Sequence, residues 1–130
     1  MPQADSAMSW EQCLAFVLEN FNSDDSSRIH ARLRLEIQDA IHPTMVWHGK
    51  STAAPDHEIV HVASPIGQAE GRDLAALAGQ ADELPLGSLR LMNGLIHIHQ
   101  ALPLSHLVRD HLTACIRLVT AEALALSQEA

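Results

Sequence analysis

A zinc-peptidase pattern is the sharpest chemistry this chain spells, for His57-Glu58-Ile59-Val60-His61 reads HExxH. On a helix, the two histidines of that pattern sit one turn apart and share a zinc, and the glutamate deprotonates the metal-bound water. The neighbouring residues oppose a helix here. Pro55 and Pro65 bracket the segment, and Ile59-Val60-His61-Val62 favours extended backbone. On a strand, His57 and His61 stand roughly 13 Å apart at about 3.3 Å per residue, with Glu58 on the opposite face. The sequence therefore predicts a strand, and a zinc hydrolase using His57, Glu58 and His61 is the minor reading.

His97 and His99 make a second pair, since alternate strand residues share a face about 7 Å apart. A third ligand from His61 or His48 requires neighbouring strands on one face, so the main expectation is solvent-facing imidazoles on a half-exposed sheet. Nine histidines would together carry the formal charge from −8 to +1 if all were protonated, which keeps a response to metal or acidity in view. The chain has no GxGxxG, phosphate loop, GxSxG or CxxC. Asp24-Asp25 and Asp82-Glu83 read as loop and turn carboxylates. No catalytic residue, metal ligand or cofactor is predicted.

The elements that must position these side chains are legible in patches. Asn93-Gly94 between alternating runs predicts a type I′ hairpin, which sets Met92 opposite Leu95, Leu91 opposite Ile96, Arg90 opposite His97 and Leu89 opposite Ile98. Leu89, Leu91, Ile96 and Ile98 then share one face, and Ser88, Arg90, His97 and His99 the other. Ser9 and Gln12 form a capping box before a helix ending near Asn20, whose stripe is Trp10, Cys13, Leu14, Val17, Leu18 and Phe21. Phe16 falls about 140° from that stripe at about 100° per residue and is expected to point away from the core.

Residues 22–27 read as a polar loop. Leu33, Leu35 and Ile37 alternate with charged residues in a first strand; Thr44–His48, bounded by Pro43 and Gly49, and His57–Ala63, bounded by Pro55 and Pro65, read as two more. Gly71–Gln80 reads as a short helix with Leu74, Leu77 and Ala78 inward, and Leu84-Pro85-Leu86-Gly87 as a turn. Ser105 caps a final helix striped by Val108, Leu112, Cys115, Val119, Ala123 and Leu126, widened by Ile116, Leu107 and Leu118. The expectation is one α+β domain over residues 1–130, an antiparallel sheet of about five strands flanked by helices in the order α-β-β-β-α-β-β-α.

Composition narrows the partners. A single lysine, Lys50, and seven arginines stand against sixteen acids, so nucleic acid and anionic membranes are unexpected partners. With 47 % hydrophobic and 3 % aromatic residues, the core must be aliphatic. Cys13 and Cys115 fall on apolar stripes and read as buried thiols in a reducing compartment. The first eight residues lack the basic and apolar regions of a secretory signal, and no apolar run nears the roughly 20 residues of a membrane span. A cytoplasmic location is expected.

His61-Val62-Ala63-Ser64-Pro65-Ile66-Gly67, the following helix, the run from Leu84-Pro85-Leu86-Gly87 through Asn93-Gly94 to Ala101-Leu102-Pro103-Leu104, and the Leu/Ala-rich last helix together resemble the type III secretion chaperone-like fold, including YbjN-like proteins. The resemblance spans most of the chain. It implies a small, acidic, non-enzymatic bacterial protein, commonly a homodimer, that holds a client polypeptide by strand addition or apolar docking. An acidic surface would favour a basic client. YbjN-like members imply a regulatory role instead, here with a histidine-linked response. Phe16, Met45 and Trp47 are the candidate partner-binding residues, as large apolar groups near open sheet surfaces.

Overall fold

Asn93 and Gly94 adopt φ of 53° and 79°, both in the left-handed region a type I′ turn demands. They join β5 (Ser88–Met92) to β6 (Leu95–Pro103), and all four cross-strand pairs expected from the turn are present. The computed structural model describes residues 8–54, 56–82 and 87–128. Within them β1 (Asn22–Ser26), β2 (His30–Ile37), β3 (Ala40–Lys50) and β4 (Glu58–Gln68) complete a six-stranded antiparallel sheet. Its spatial order is β1-β2-β3-β4-β6-β5.

The α+β architecture is as expected, with α1 (Trp10–Asn20), α2 (Leu74–Ala81) and α3 (Arg109–Gln128). The added strand is β1, predicted to be a loop. Every β1 residue is exposed, so it carries no alternation signal; ladder bonds to β2 make it a strand. The predicted strand limits are too narrow as well. Pro43 lies inside β3, where pairing with β4 begins only at Met45, so its missing N–H falls outside that ladder. Pro65 lies inside β4 beside a bulge that ends at Gly67, and the extra residue, Ile66, is buried in the core.

The three helices share one core on one face of the sheet. Leu33, Val46, Val60, Val62 and Ile98 meet Cys13 and Val17 of α1, Leu77 of α2 and Leu112, Ile116 and Val119 of α3. Each such side chain contributes about 1.5–3 kcal/mol on burial. The predicted capping box is formed, with Ser9 Oγ accepting from Gln12 N at 3.1 Å and Gln12 Oε1 accepting from Ser9 N at 2.9 Å. In the seam between β3 and α3, the buried Thr44 hydroxyl bonds to Thr120 Oγ1. Thr120 spends its own proton on the Ile116 carbonyl at 2.7 Å, so Thr44 is the donor of that pair.

Other helix expectations need correction. Asp73, not Gly71, opens α2, and its carboxylate accepts from Ala76 N at 3.0 Å. Leu77 alone of the three predicted inward residues is buried; Leu74 and Ala78 are exposed because only one turn of this short helix meets the sheet. Ser105 lies in a 3-10 turn, Leu104–His106, and α3 begins only at Arg109. The α3 stripe is buried as expected save Val108, which is partly exposed and precedes the helix, and Leu118, which is 46 % exposed. The predicted turn at residues 84–87 lies outside the described residues apart from Gly87.

Candidate binding surface

Among the described residues, no helix packs on the second face of the sheet. Register places Arg32, Arg34 and Glu36 of β2, Pro43, Met45 and Trp47 of β3, and His61, Ala63 and Pro65 of β4 there. His97 and His99 of β6 and Arg90 of β5 continue it. Three arginines, Arg32, Arg34 and Arg90, are exposed on this face, and the histidine–carboxylate pairs found among the described residues, His30–Asp25 and His48–Glu58, involve none of them.

Its centre is a cluster of rings. His61 Nδ1 and His99 Nε2 are 2.8 Å apart, with ring centroids 5.1 Å apart, so the rings meet nitrogen to nitrogen. Trp47 lies parallel to His61 at 4.8 Å between centroids. Arg90 Nη1 stands 3.1 Å from the same His99 Nε2. A guanidinium can only donate, so His99 Nε2 is the acceptor and His61 Nδ1–H the second donor to it. That assigns both protons of the neutral pair, on His99 Nδ1 and His61 Nδ1. His61 Nε2 is packed beside the Gly49 backbone, where a Cβ would come within 3.0 Å.

Burial and Arg90 lower the pKa of His61. Burial, then Arg90, His61 and His97, push His99 down to about 4. His97 is also lowered, chiefly by burial, although its Nδ1 bonds to the Leu95 carbonyl at 3.2 Å. The cluster is thus a neutral, hydrogen-bonded platform at neutral pH, with its central lone pair occupied. The expectation of solvent-facing imidazoles is wrong for His97, which is buried, and for His99, which is half-covered by its partners.

The HExxH residues do not converge. Glu58 opens β4, and its Oε1 bonds to His48 Nε2 at 2.8 Å on the helix-bearing side. His57 precedes the strand and is exposed, whereas His61 joins the ring cluster. The one-turn helical spacing that the zinc mechanism needs is not formed. Among the described residues no three of His, Cys, Asp or Glu are grouped to hold a metal ion.

A second feature lies at the sheet's edge. Among the described residues, β5 pairs with β6 on one side and with no strand on the other. Beside it, Ala69, Leu74, Leu77, Leu89, Leu91 and Ile96 line an apolar cleft of about 200 Å³ between α2 and β5. Leu74 and Leu91 are 55 % and 63 % exposed at its mouth. Sequence places Leu74 and Leu77 on a helix face and Leu89, Leu91 and Ile96 on one strand face, but gives no sign that these two faces meet in an open cleft.

The three predicted contact residues occupy two surfaces. Met45 and Trp47 lie two apart on the open face of β3, with Met45 38 % exposed. Phe16 does not point away from the core as expected: it packs against it, half-buried, with the Arg109 guanidinium 5.7 Å from its ring. Cys13 and Cys115 are buried as expected, and burial pushes both thiols up to about 12. No helix among the described residues is long and apolar enough to cross a membrane. Comparison of the chain with models of protein families, with curated proteins and with solved structures returns no match.

Proposed function

We propose that this chain is a non-enzymatic polypeptide-binding module that takes an extended client segment along β5, working as a homodimer in the manner of the secretion chaperones it resembles. The observation that carries the reading is the coincidence of an unpaired strand edge with an apolar cleft. β5 offers a row of N–H and C=O groups to an added strand, and the cleft beneath Leu74 and Leu91 takes that strand's inward apolar side chains. Main-chain bonds supply the attraction and the cleft supplies the choice of side chain. Leu18 and Leu118, exposed on α1 and α3, are the apolar surface a second copy would cover.

The test uses light scattering after size exclusion, then binding of fluorescent peptides with alternating apolar residues. A particle near twice 14.2 kDa that binds such a peptide, and loses it on Leu91→Lys, supports the reading. A strict monomer that binds none of them refutes it.

A second reading, a regulator in which histidines answer to acidity, draws on the His61–His99 pair. It predicts that His97→Ala with His99→Ala alters the acid response of binding.

A further inference from the structure

We propose that the helix-free face of the sheet is a second docking site, distinct from the β5 edge, for an extended acidic segment with a small apolar residue at its middle. The proposal deepens the polypeptide-binding reading by naming a partner chemistry for this face, and it reverses the basic client expected from net charge alone.

Charge distribution carries it first. The chain's formal charge is −8, yet the open-face positions of the strands bear Arg32, Arg34 and Arg90 against only Asp25 and Glu36. Asp25 Oδ2 stands 3.4 Å from His30 Nε2 and opposite Arg32 in register, so the arginines still outnumber the acids on this face. The arginines are exposed and outside every ion pair among the described residues. Arg90 uses one N–H on His99, which leaves most of its five donors available for a bidentate carboxylate.

Spacing adds the second constraint. Arg32 and Arg34 sit on β2 and Arg90 on β5, four strand steps away in the sheet order. At about 4.8 Å per step that is about 19 Å, which about six extended residues cross. The path runs over Met45, Ala63 and His99, which are register neighbours in turn. Midway lies a dimple of about 70 Å³, walled by Arg32, Pro43, Met45, Ala63, Pro65 and Leu95 among others. Its size and apolar walls suit a side chain such as alanine, proline or valine. Acids at both ends and a small apolar group between them are therefore the complement of this face.

The test is fluorescence anisotropy at low salt with an eight-residue peptide carrying glutamates at both ends and a central valine. A matched peptide with lysines replaces the glutamates as control, and a single-stranded oligonucleotide of equal charge is the third probe. The expected result is binding of the acidic peptide at least about tenfold tighter than the basic one, weakened by salt. Arg32→Glu with Arg34→Glu should reduce it by about tenfold or more, and Leu91→Lys should not change it. Both variants are surface changes, and circular dichroism with the thermal midpoint verifies their fold. Equal binding of the two peptides, indifference to arginine reversal, or preference for the oligonucleotide overturns the proposal. Loss of the acidic peptide on Leu91→Lys also overturns it, by placing that peptide on the edge. Apolar-peptide binding that persists while the acidic peptide fails would refute this site and leave the β5 reading standing.

Discussion

His61 and His99, 38 residues apart in the chain, share one proton across β4 and β6 at a nitrogen separation of 2.8 Å. Arg90 donates to the same His99 nitrogen, so protonating His99 there would set its new N–H against the Arg90 guanidinium and force His61 to shift its own proton from Nδ1 to Nε2. The neutral pair is what the fold accommodates.

Stability should accordingly fall on acidification. The pKa of His99 lies near 4 in the folded chain, against about 6.5 for an unfolded histidine. Above about 6.5 both states are neutral and this group adds no slope. As pH falls from there towards 4, the unfolded chain takes up a proton that the folded chain refuses, and stability is lost. The lowered pKa values of His61 and His97 act in the same direction. Urea midpoints between pH 7 and 4 should therefore drop less steeply in His99→Gln than in the parent. An unchanged slope would contradict the assignment.

Thr44 and Thr120 should respond unequally to valine. Thr120→Val strands the buried Thr44 hydroxyl, at a cost of about 1–3 kcal/mol, whereas Thr44→Val leaves Thr120 still bonded to the Ile116 carbonyl and costs less. The double variant should be less damaged than the sum. Chemical denaturation of the four proteins gives this cycle directly.

Two glycines separate backbone strain from crowding. Gly94 has φ 79° and open space around a built Cβ, so Gly94→Ala should cost about 1–2 kcal/mol from backbone alone. At Gly87, φ is 86° and a Cβ would meet Ile98 Cγ2 at 2.7 Å. Gly87→Ala should lower the thermal midpoint further than Gly94→Ala; equal shifts would mean the contact relaxes freely.

On α3, Leu112→Ala should cost about 2–5 kcal/mol, since Leu112 is fully buried in the common core. Leu118→Ala should stay within about 0.5 kcal/mol. The two lie about 120° apart around the helix at about 100° per residue, and comparing their urea midpoints checks that only Leu112 faces the sheet.

Local signals were the reliable ones. The Asn93-Gly94 hairpin, its register, the Ser9/Gln12 capping box and the strand at His61 all follow from interactions within a few residues, where turn geometry, capping and β-propensity act. Failures came where no such signal exists. β1 is polar and exposed on both sides, so nothing in its own residues distinguishes a loop from an edge strand. Pro43 and Pro65 usually end strands, and they are tolerated here only because of where the adjoining ladders begin and bulge.

The candidate surfaces divide in the same way. Sequence by itself determined the aliphatic core, the shared face of His97 and His99, and the placement of Arg90 opposite His97, because alternation and a two-residue turn fix them locally. Tertiary structure alone decided that β4 lies beside β6 and β3 beside β4, which brings His61 to His99 and Trp47 to His61. It also decided that all helices gather on one face, leaving the arginines on the other, and that α2 stops short of covering Leu91. Those outcomes depend on pairing between strands far apart in the chain, where the competing arrangements differ by the packing of the whole core and not by any short run of residues.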